Sequence, residues 1–85
     1  MAEEVEVGSV TEFFARPVVA GVDLTAALKV GDRIHIKGHT TEVEQVVESM
    51  QIHNASVSEA KPGDSIGVKV SDRVRRGDKV YKVVA

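Results

Sequence analysis

Short stretches of alternating apolar and polar residues follow one another along this chain, separated by glycine, proline and aspartate. Segments 18–24, 33–37 and 65–70 place an apolar residue at every second position, which is the pattern of a strand with one buried face. Residues 5–13 and 79–84 are rich in β-branched and aromatic side chains and are also predicted to be strands. Short strands at regular spacing, with turn signals between them, predict a β-barrel or β-sandwich.

One segment, 40–52, carries two conflicting patterns. Its apolar residues are spaced at i, i+3, i+4 and i+7 like the face of a helix: Val43, Val46, Val47 and Met50. Thr41 followed by Glu44 also fits a helical capping box. The same segment is rich in valine and shifts between two alternating phases, as a strand with a β-bulge does. Periodicity taken alone favours the helix.

The dipeptide Gly-Asp occurs three times, each time two residues before an apolar strand position. The three copies are Gly31-Asp32, Gly63-Asp64 and Gly77-Asp78. Glycine supplies the positive φ that a tight turn needs, and aspartate accepts hydrogen bonds from the amides of the turn. We interpret the repeated phrase as a turn and not as a ligand site.

Composition supports β structure and excludes several classes of protein. The 85 residues include 21 valines and isoleucines, only two leucines and no cysteine. This composition argues against a helical bundle, a disulfide-stapled miniprotein, a disordered tail and a membrane span. We predict one domain over residues 1–85, with residues 1–6 as a loose tail. The acidic amino end lacks the apolar run of a signal peptide, so a cytoplasmic location is expected.

Charge is distributed unevenly along the chain. Residues 1–60 carry ten acidic and four basic side chains, whereas residues 61–85 carry three acidic and seven basic ones. A basic patch of this kind meets phosphate or an acidic partner. The alternative interpretation is that folding mixes the two halves on one surface. The candidate RNA-binding residues are Arg73, Arg75, Arg76 and Lys79.

Catalytic motifs are not found in the sequence. It contains no phosphate-binding Gly-x-x-x-x-Gly-Lys-Ser/Thr loop and no Gly-x-Ser-x-Gly elbow, so we expect neither a nucleoside triphosphate nor a serine nucleophile. His35 and His39 have a metal-ligand spacing, but Gly38 interrupts the element between them. With His53 they are interpreted as ordinary polar histidines. We therefore expect no enzyme activity, no metal and no cofactor.

Several phrases resemble the second domain of the translational GTPases, of which elongation factor Tu is an example. The resemblance covers about residues 7–84 and rests on phrases in a characteristic order. They are Gly8-Ser9-Val10, then 28–34, then 47–54, then Glu59-Ala60-Lys61-Pro62-Gly63-Asp64 continuing to Val68, and finally 74–80. Residues 36–41 and 44–50 also resemble the C-terminal domain of collagenase-like (U-type) peptidases, which shares the same barrel.

The resemblance implies a closed Greek-key barrel of six or seven strands in which residues 41–52 form one long, bulged strand. In the translation factors this domain helps to hold the aminoacylated end of tRNA and contacts the small ribosomal subunit. The matching pocket positions here are His53, Asn54, Glu59 and Gly63. The GTPase domain of those factors is missing from this chain, so no nucleotide switch is implied.

Two functions therefore remain open. The first is a non-catalytic module that binds RNA or a ribosomal component through the basic loop and the adjoining pocket. The second is a protein-interaction module that docks on a larger, peptidase-like partner. In the second case Phe13, Phe14 and Val19 would be exposed anchors instead of core residues.

Overall fold

The fold is all-β in the computed structural model, which describes residues 3–16 and 18–84. The strands are β1 Glu4–Ala15, β2 Val18–Leu24, β3 Leu28–Lys29, β4 Arg33–Lys37, β5 Glu42–Val46, β6 Met50–Ile52, β7 Ala55–Val57, β8 Glu59–Ala60, β9 Ser65–Lys69 and β10 Lys79–Val83. Their pairings are antiparallel, and eight of them form one sheet in the order β5-β4-β10-β1-β2-β9-β6-β7, while β3 pairs with β8. In the described residues no helix is long or apolar enough to cross a membrane.

Alternation along the strands builds one core. In β2, Ala20, Val22 and Leu24 are buried, and in β4 Ile34 and Ile36 are buried, while the residues between them face outward or are partly exposed. This is the period-two pattern of strands with one apolar face. The largest fully buried side chains are Leu28, Ile34, Ile36, Met50, Val7, Val10, Val22, Val47, Val68, Val74 and Val80.

The helix predicted from periodicity at 40–52 is wrong. Residues 42–46 and 50–52 are the strands β5 and β6, and residues 47–49 between them leave the ladder. Val43, Val47 and Met50 are buried, but Val46 is 47% exposed, whereas a helical stripe would bury all four. The spacing arises because the irregular residues shift the alternation by one position, as a bulge does. The extended conformation implied by the resemblance is confirmed, but the segment is divided into two strands with different partners instead of forming one long, bulged strand.

The eight-stranded sheet does not close into a barrel through backbone hydrogen bonds, and β5 and β7 are its edge strands. The amide of Gln45 spans the gap between β5 and the end of β9. Its Nε2 donates to the carbonyl of Lys69 at 2.8 Å, and its Oε1 accepts from the amide of Ser71 at 2.7 Å. The closed barrel remains a prediction, and the all-β fold is confirmed.

Residues 4–6, which were predicted to belong to a loose tail, are part of a strand. Glu4–Glu6 belong to β1 and pair with residues 81–83 of β10. The amide of Val84 donates to the carbonyl of Glu3 at 2.8 Å, so the two strands remain side by side to the last described residue. Alternation could not reveal this pairing, because Glu4, Val5 and Glu6 lack a fully buried member. Residues 1, 2, 17 and 85 lie outside the described residues.

Candidate functional site

The three Gly-Asp phrases form the same turn, as the sequence predicted. Gly31, Gly63 and Gly77 have φ values of 99°, 93° and 92°, which the third position of a type II turn requires. In each turn the aspartate carboxylate accepts a hydrogen bond from the amide three residues earlier, at 2.8 to 3.0 Å. Each turn also begins with a cation: Lys29, Lys61 and Arg75.

The third turn positions the basic loop. Its Asp78 holds the amide of Arg75 at 2.8 Å, and backbone bonds in both directions join residues 77 and 78 to Val10 of β1 at 2.8 Å. Val74 is buried, whereas Arg73 and Arg75 on either side of it are exposed. The loop is therefore anchored at its centre and presents its arginines to solvent.

These arginines line a cleft of about 700 Å³ beside β1, which we call the arginine cleft. No carboxylate lies within 4.0 Å of its guanidinium groups in residues 3–16 and 18–84. Lys79, the fourth predicted RNA-binding residue, is exposed on β10 but does not line the cleft. The lining residues are Thr11, Glu12, Phe13, Arg73, Val74, Arg75 and Arg76.

A second cleft of about 410 Å³, the glycine cleft, lies on the outer face of β2, β9 and β6. It contains two of the four pocket residues implied by the resemblance, His53 and Asn54. They form the two-residue turn between β6 and β7 with φ values of 51° and 64°, as a type I′ hairpin demands. The lining residues are Phe14, Arg16, Val19, Gly21, Gln51, His53, Asn54, Ser65, Ile66 and Gly67.

The other two pocket residues do not join this cleft. Glu59 pairs with Lys29 in the small β3–β8 sheet, and Gly63 lies in the second Gly-Asp turn. Of the predicted anchors, Phe14 is 50% exposed, whereas Phe13 packs against the core and Val19 is half-buried. Phe13 is therefore not an exposed anchor, because strand alternation turns it away from the side on which Phe14 lies.

Charged side chains also meet on β1, β4 and β5. Glu4 accepts a hydrogen bond from His35 Nδ1 at 2.7 Å and pairs with Lys37 Nζ at 2.9 Å. The bond from His35, together with Lys37, lowers the pKa of Glu4, and the bond to Glu4 raises the pKa of Lys37. His35 Nε2 lies 3.3 Å from a Glu42 oxygen but forms no hydrogen bond.

None of the three histidines is placed to ligate metal with its neighbours. His35 lies on β4, His39 is exposed after that strand, and His53 lies in the β6–β7 turn. Across the described part of the chain, no three side chains of the metal-ligating types are grouped to hold an ion. The contacts of His35 are instead those of a structural ion cluster.

Comparison with known proteins confirms the resemblance to both groups. The chain is 47% identical over 79 residues to an uncharacterized protease of Methanocaldococcus jannaschii, covering 92% of this chain and 19% of that protein. It is 41% identical over 73 residues to elongation factor 1-alpha of Pyrobaculum islandicum, covering 81% and 16%. It is 34% identical over 82 residues to a collagenase of Porphyromonas gingivalis, covering 94% and 20%. The chain spans about a fifth of the length of these relatives.

Solved structures show the same fold. The C-terminal domain of a Geobacillus thermoleovorans protein described as a U32 peptidase matches with a TM-score of 0.85 at 19% identity, covering 91% of this chain and 90% of that one. A selenomethionine variant of the same domain matches with a TM-score of 0.84 at 18% identity, covering 89% and 96%. No protein-family model matches the chain.

Proposed function

We propose that this chain is a non-catalytic binding domain that contacts RNA through the arginine cleft. The observation that carries the proposal is the convergence of Arg73, Arg75 and Arg76 on a loop anchored by the buried Val74. Guanidinium groups bind phosphate oxygens through two parallel hydrogen bonds. Because these arginines have no carboxylate partner in residues 3–16 and 18–84, binding would break no ion pair of theirs.

Two further features support RNA as the ligand. Phe13 packs against the core with part of its ring and lines the same cleft with the rest, and an aromatic ring beside phosphate-binding cations is a platform for an unstacked base. The similarity to elongation factor 1-alpha over 81% of the chain also supports RNA as the ligand. The proposal includes a cytoplasmic location. It assigns the domain no catalytic role: the domain acts as a contact surface for RNA.

The test is a titration of fluorescently labelled protein with tRNA and with single-stranded RNA at two salt concentrations. Three phosphate contacts predict a slope of log affinity against log salt of about −2, at roughly −0.7 per contact on a single strand. Arg75→Ala is expected to weaken binding to all sequences alike and to reduce the slope by about 0.7, since phosphate contacts carry no sequence information.

Lys61→Ala is the matched control for Arg75→Ala. Lys61 begins the second Gly-Asp turn as Arg75 begins the third, and its amide makes the same bond to an aspartate, but it lies outside the arginine cleft. Its removal is expected to leave the salt slope unchanged. Binding that is absent at low salt, or equally affected by both substitutions, would refute the RNA proposal.

A second candidate function is docking on a larger, peptidase-like protein. The specific observation is the exposed Phe14 near the end of β1, which lies directly opposite the half-buried Val19 on β2. The similarity to a protease of M. jannaschii over 92% of the chain agrees with it. Phe14→Ala should abolish co-purification with such a protein, whereas Val46→Ala, at an exposed valine of β5, should not.

A further inference from the structure

Gly67 is a glycine that the backbone does not require. Gly31, Gly63 and Gly77 have positive φ, and a β-carbon on Gly8 or Gly38 would overlap neighbouring atoms. Gly21 is tight, with Thr11 Oγ1 at 3.3 Å from the position of a β-carbon. At Gly67 the nearest atom would be Val19 Cγ1 at 3.4 Å, an ordinary contact, and φ is not positive. A strand interior without such a need favours a side chain over glycine.

The position of Gly67 shows what its missing side chain leaves open. Ile66 and Val68 on either side are buried, so position 67 faces outward. It lies directly opposite Gly21 on β2 and Gln51 on β6. The adjacent strands β2 and β9 thus both lack a side chain at this pair of opposed positions. The floor of the glycine cleft is therefore a flat patch of peptide groups. Glycine in a strand often marks a place where a ligand approaches the backbone.

The walls of the cleft define the chemistry of its occupant. Phe14 and Val19 form a cross-strand pair along one side, and Arg16, His53 and Asn54 supply polar groups. No acidic residue lines the cleft; Asp23 beside it accepts the hydrogen bond of the Ser65 hydroxyl at 2.6 Å, and Glu12, opposite Gly21 on β1, lines the arginine cleft. The cleft therefore offers a flat floor of peptide groups, an apolar wall and the permanent positive charge of Arg16.

We propose that the glycine cleft binds an acidic segment of a protein partner, with an aromatic side chain of that segment lying on Gly21 and Gly67. The partner's carboxylate would pair with Arg16. Large aromatic anchors seated in pockets with polar rims are typical of protein interfaces. The proposal rests on the docking function above and adds the surface and the chemistry of the partner.

A peptide fits this cleft better than a nucleic acid does. A single arginine lines it, compared with three in the arginine cleft, so a phosphate chain has fewer contacts here. The cleft is also continuous with the exposed Phe14 of the hairpin, which enlarges the apolar surface. The two clefts share no residue, and their ligands can therefore be tested separately.

The experiment is a nuclear magnetic resonance titration of ¹⁵N-labelled protein with blocked tripeptides. Ac-Glu-Phe-Asp-NH₂ is expected to shift the amides of Gly21, Asn54 and Gly67 at millimolar concentration. Ac-Glu-Ala-Asp-NH₂ and Ac-Lys-Phe-Lys-NH₂ are expected to bind at least tenfold more weakly, because the first lacks the aromatic side chain and the second lacks the carboxylates. Adenosine monophosphate is titrated in parallel; shifts of these amides with the nucleotide and not with the acidic aromatic peptide would overturn the proposal.

Gly67→Val is the decisive variant, because its side chain fills the floor at a strand position that favours β-branched residues. It should lower the affinity for Ac-Glu-Phe-Asp-NH₂ at least tenfold. Ser56→Val places the same side chain on the same outer row, beyond Gln51 and outside the cleft, and should have no effect. Unchanged binding by Gly67→Val would overturn the proposal.

Arg16→Gln tests the same site without filling it, should Gly67→Val fail to fold. It is expected to weaken the binding of the acidic peptide and to leave the binding of the neutral Ac-Gly-Phe-Gly-NH₂ unchanged. An equal loss of affinity for both peptides would contradict the assigned charge pairing. If the peptide fails to bind while Phe14-dependent docking on a larger protein persists, the cleft is wrong and the docking function stands. The RNA titration of Gly67→Val should retain the wild-type slope.

Discussion

The carboxylate of Asp78 lies directly against the α-carbon of Gly38. A β-carbon at position 38 would overlap that carboxylate, which also accepts the amide hydrogen of Arg75. One aspartate therefore connects the end of β4 with the basic loop. The absence of a side chain at position 38 is a condition for the shape of the arginine cleft.

Gly38→Ala is predicted to destabilise the fold by about 1–3 kcal/mol, because Asp78 must move and leave a backbone amide without its partner. Urea denaturation measures the change. The same variant should weaken RNA binding although position 38 lies outside the arginine cleft. An unaltered urea midpoint would show that Asp78 can shift without cost.

Gly63→Ala and Gly67→Ala form a matched pair that separates backbone strain from space. Gly63 has a φ of 93° with no atom near its would-be β-carbon, so alanine should cost on the order of 1 kcal/mol through backbone conformation alone. Gly67 needs no unusual φ, and alanine there should be neutral or stabilising by about 0.4–1 kcal/mol. Thermal denaturation of both variants under the same conditions checks the pair, and a destabilised Gly67→Ala would contradict the open floor of the glycine cleft.

Stability is expected to fall in acid through Glu4. The pKa of Glu4 is held below its ordinary value of 4.5 by the hydrogen bond from His35 and by Lys37. A lowered folded-state pKa gives stability that is complete above the unfolded value and is lost as pH falls through the folded one. Lys37, whose pKa is raised from 10.5, loses its contribution as pH rises past that range.

Urea midpoints of the wild type and Glu4→Gln at pH 7 and pH 3 test this dependence. The wild type should lose more stability between the two values than the variant does, and the two should converge in acid. Parallel losses would assign the acid sensitivity to other carboxylates.

Gln45→Ala is predicted to open the gap between β5 and β9. The variant loses two hydrogen bonds, to Lys69 and Ser71. Each contributes about 0.5–1.5 kcal/mol to the free energy of unfolding, with the lower value expected at this exposed site. Hydrogen exchange should accelerate at the Ser71 amide. Gln51→Ala, an exposed glutamine on β6, serves as the control and should leave that amide unchanged.

The sequence predicted those elements in which one period ran without interruption. The strand Val18–Leu24 and the strand Arg33–Lys37 match the alternating segments at both ends. The strands β3 and β8 have two residues each, which is too short to show a period. The segment 42–52 misled because its alternation changes phase in the middle.

Which candidate residues lie together was predictable where they are neighbours in one loop. Arg73, Arg75 and Arg76 converge because a single anchored loop carries them, whereas Lys79 follows the turn and belongs to a strand. Glu59 separates from the His53–Asn54 turn because β8 pairs with a different sheet. The glycine cleft was not predicted, although glycine between two buried strand residues was visible at Gly21 and Gly67. Their meeting depends on register, which alternation alone does not supply.

The bond between Val84 and Glu3 also determines how this domain can be attached to other polypeptides. Residues 3 and 84 therefore lie side by side where β1 begins and β10 ends. The β1–β2 hairpin, which contributes residues to both clefts, lies at the other end of the twelve-residue β1. Two adjacent linkers would therefore be enough to join the domain to a larger protein, and both clefts would remain accessible.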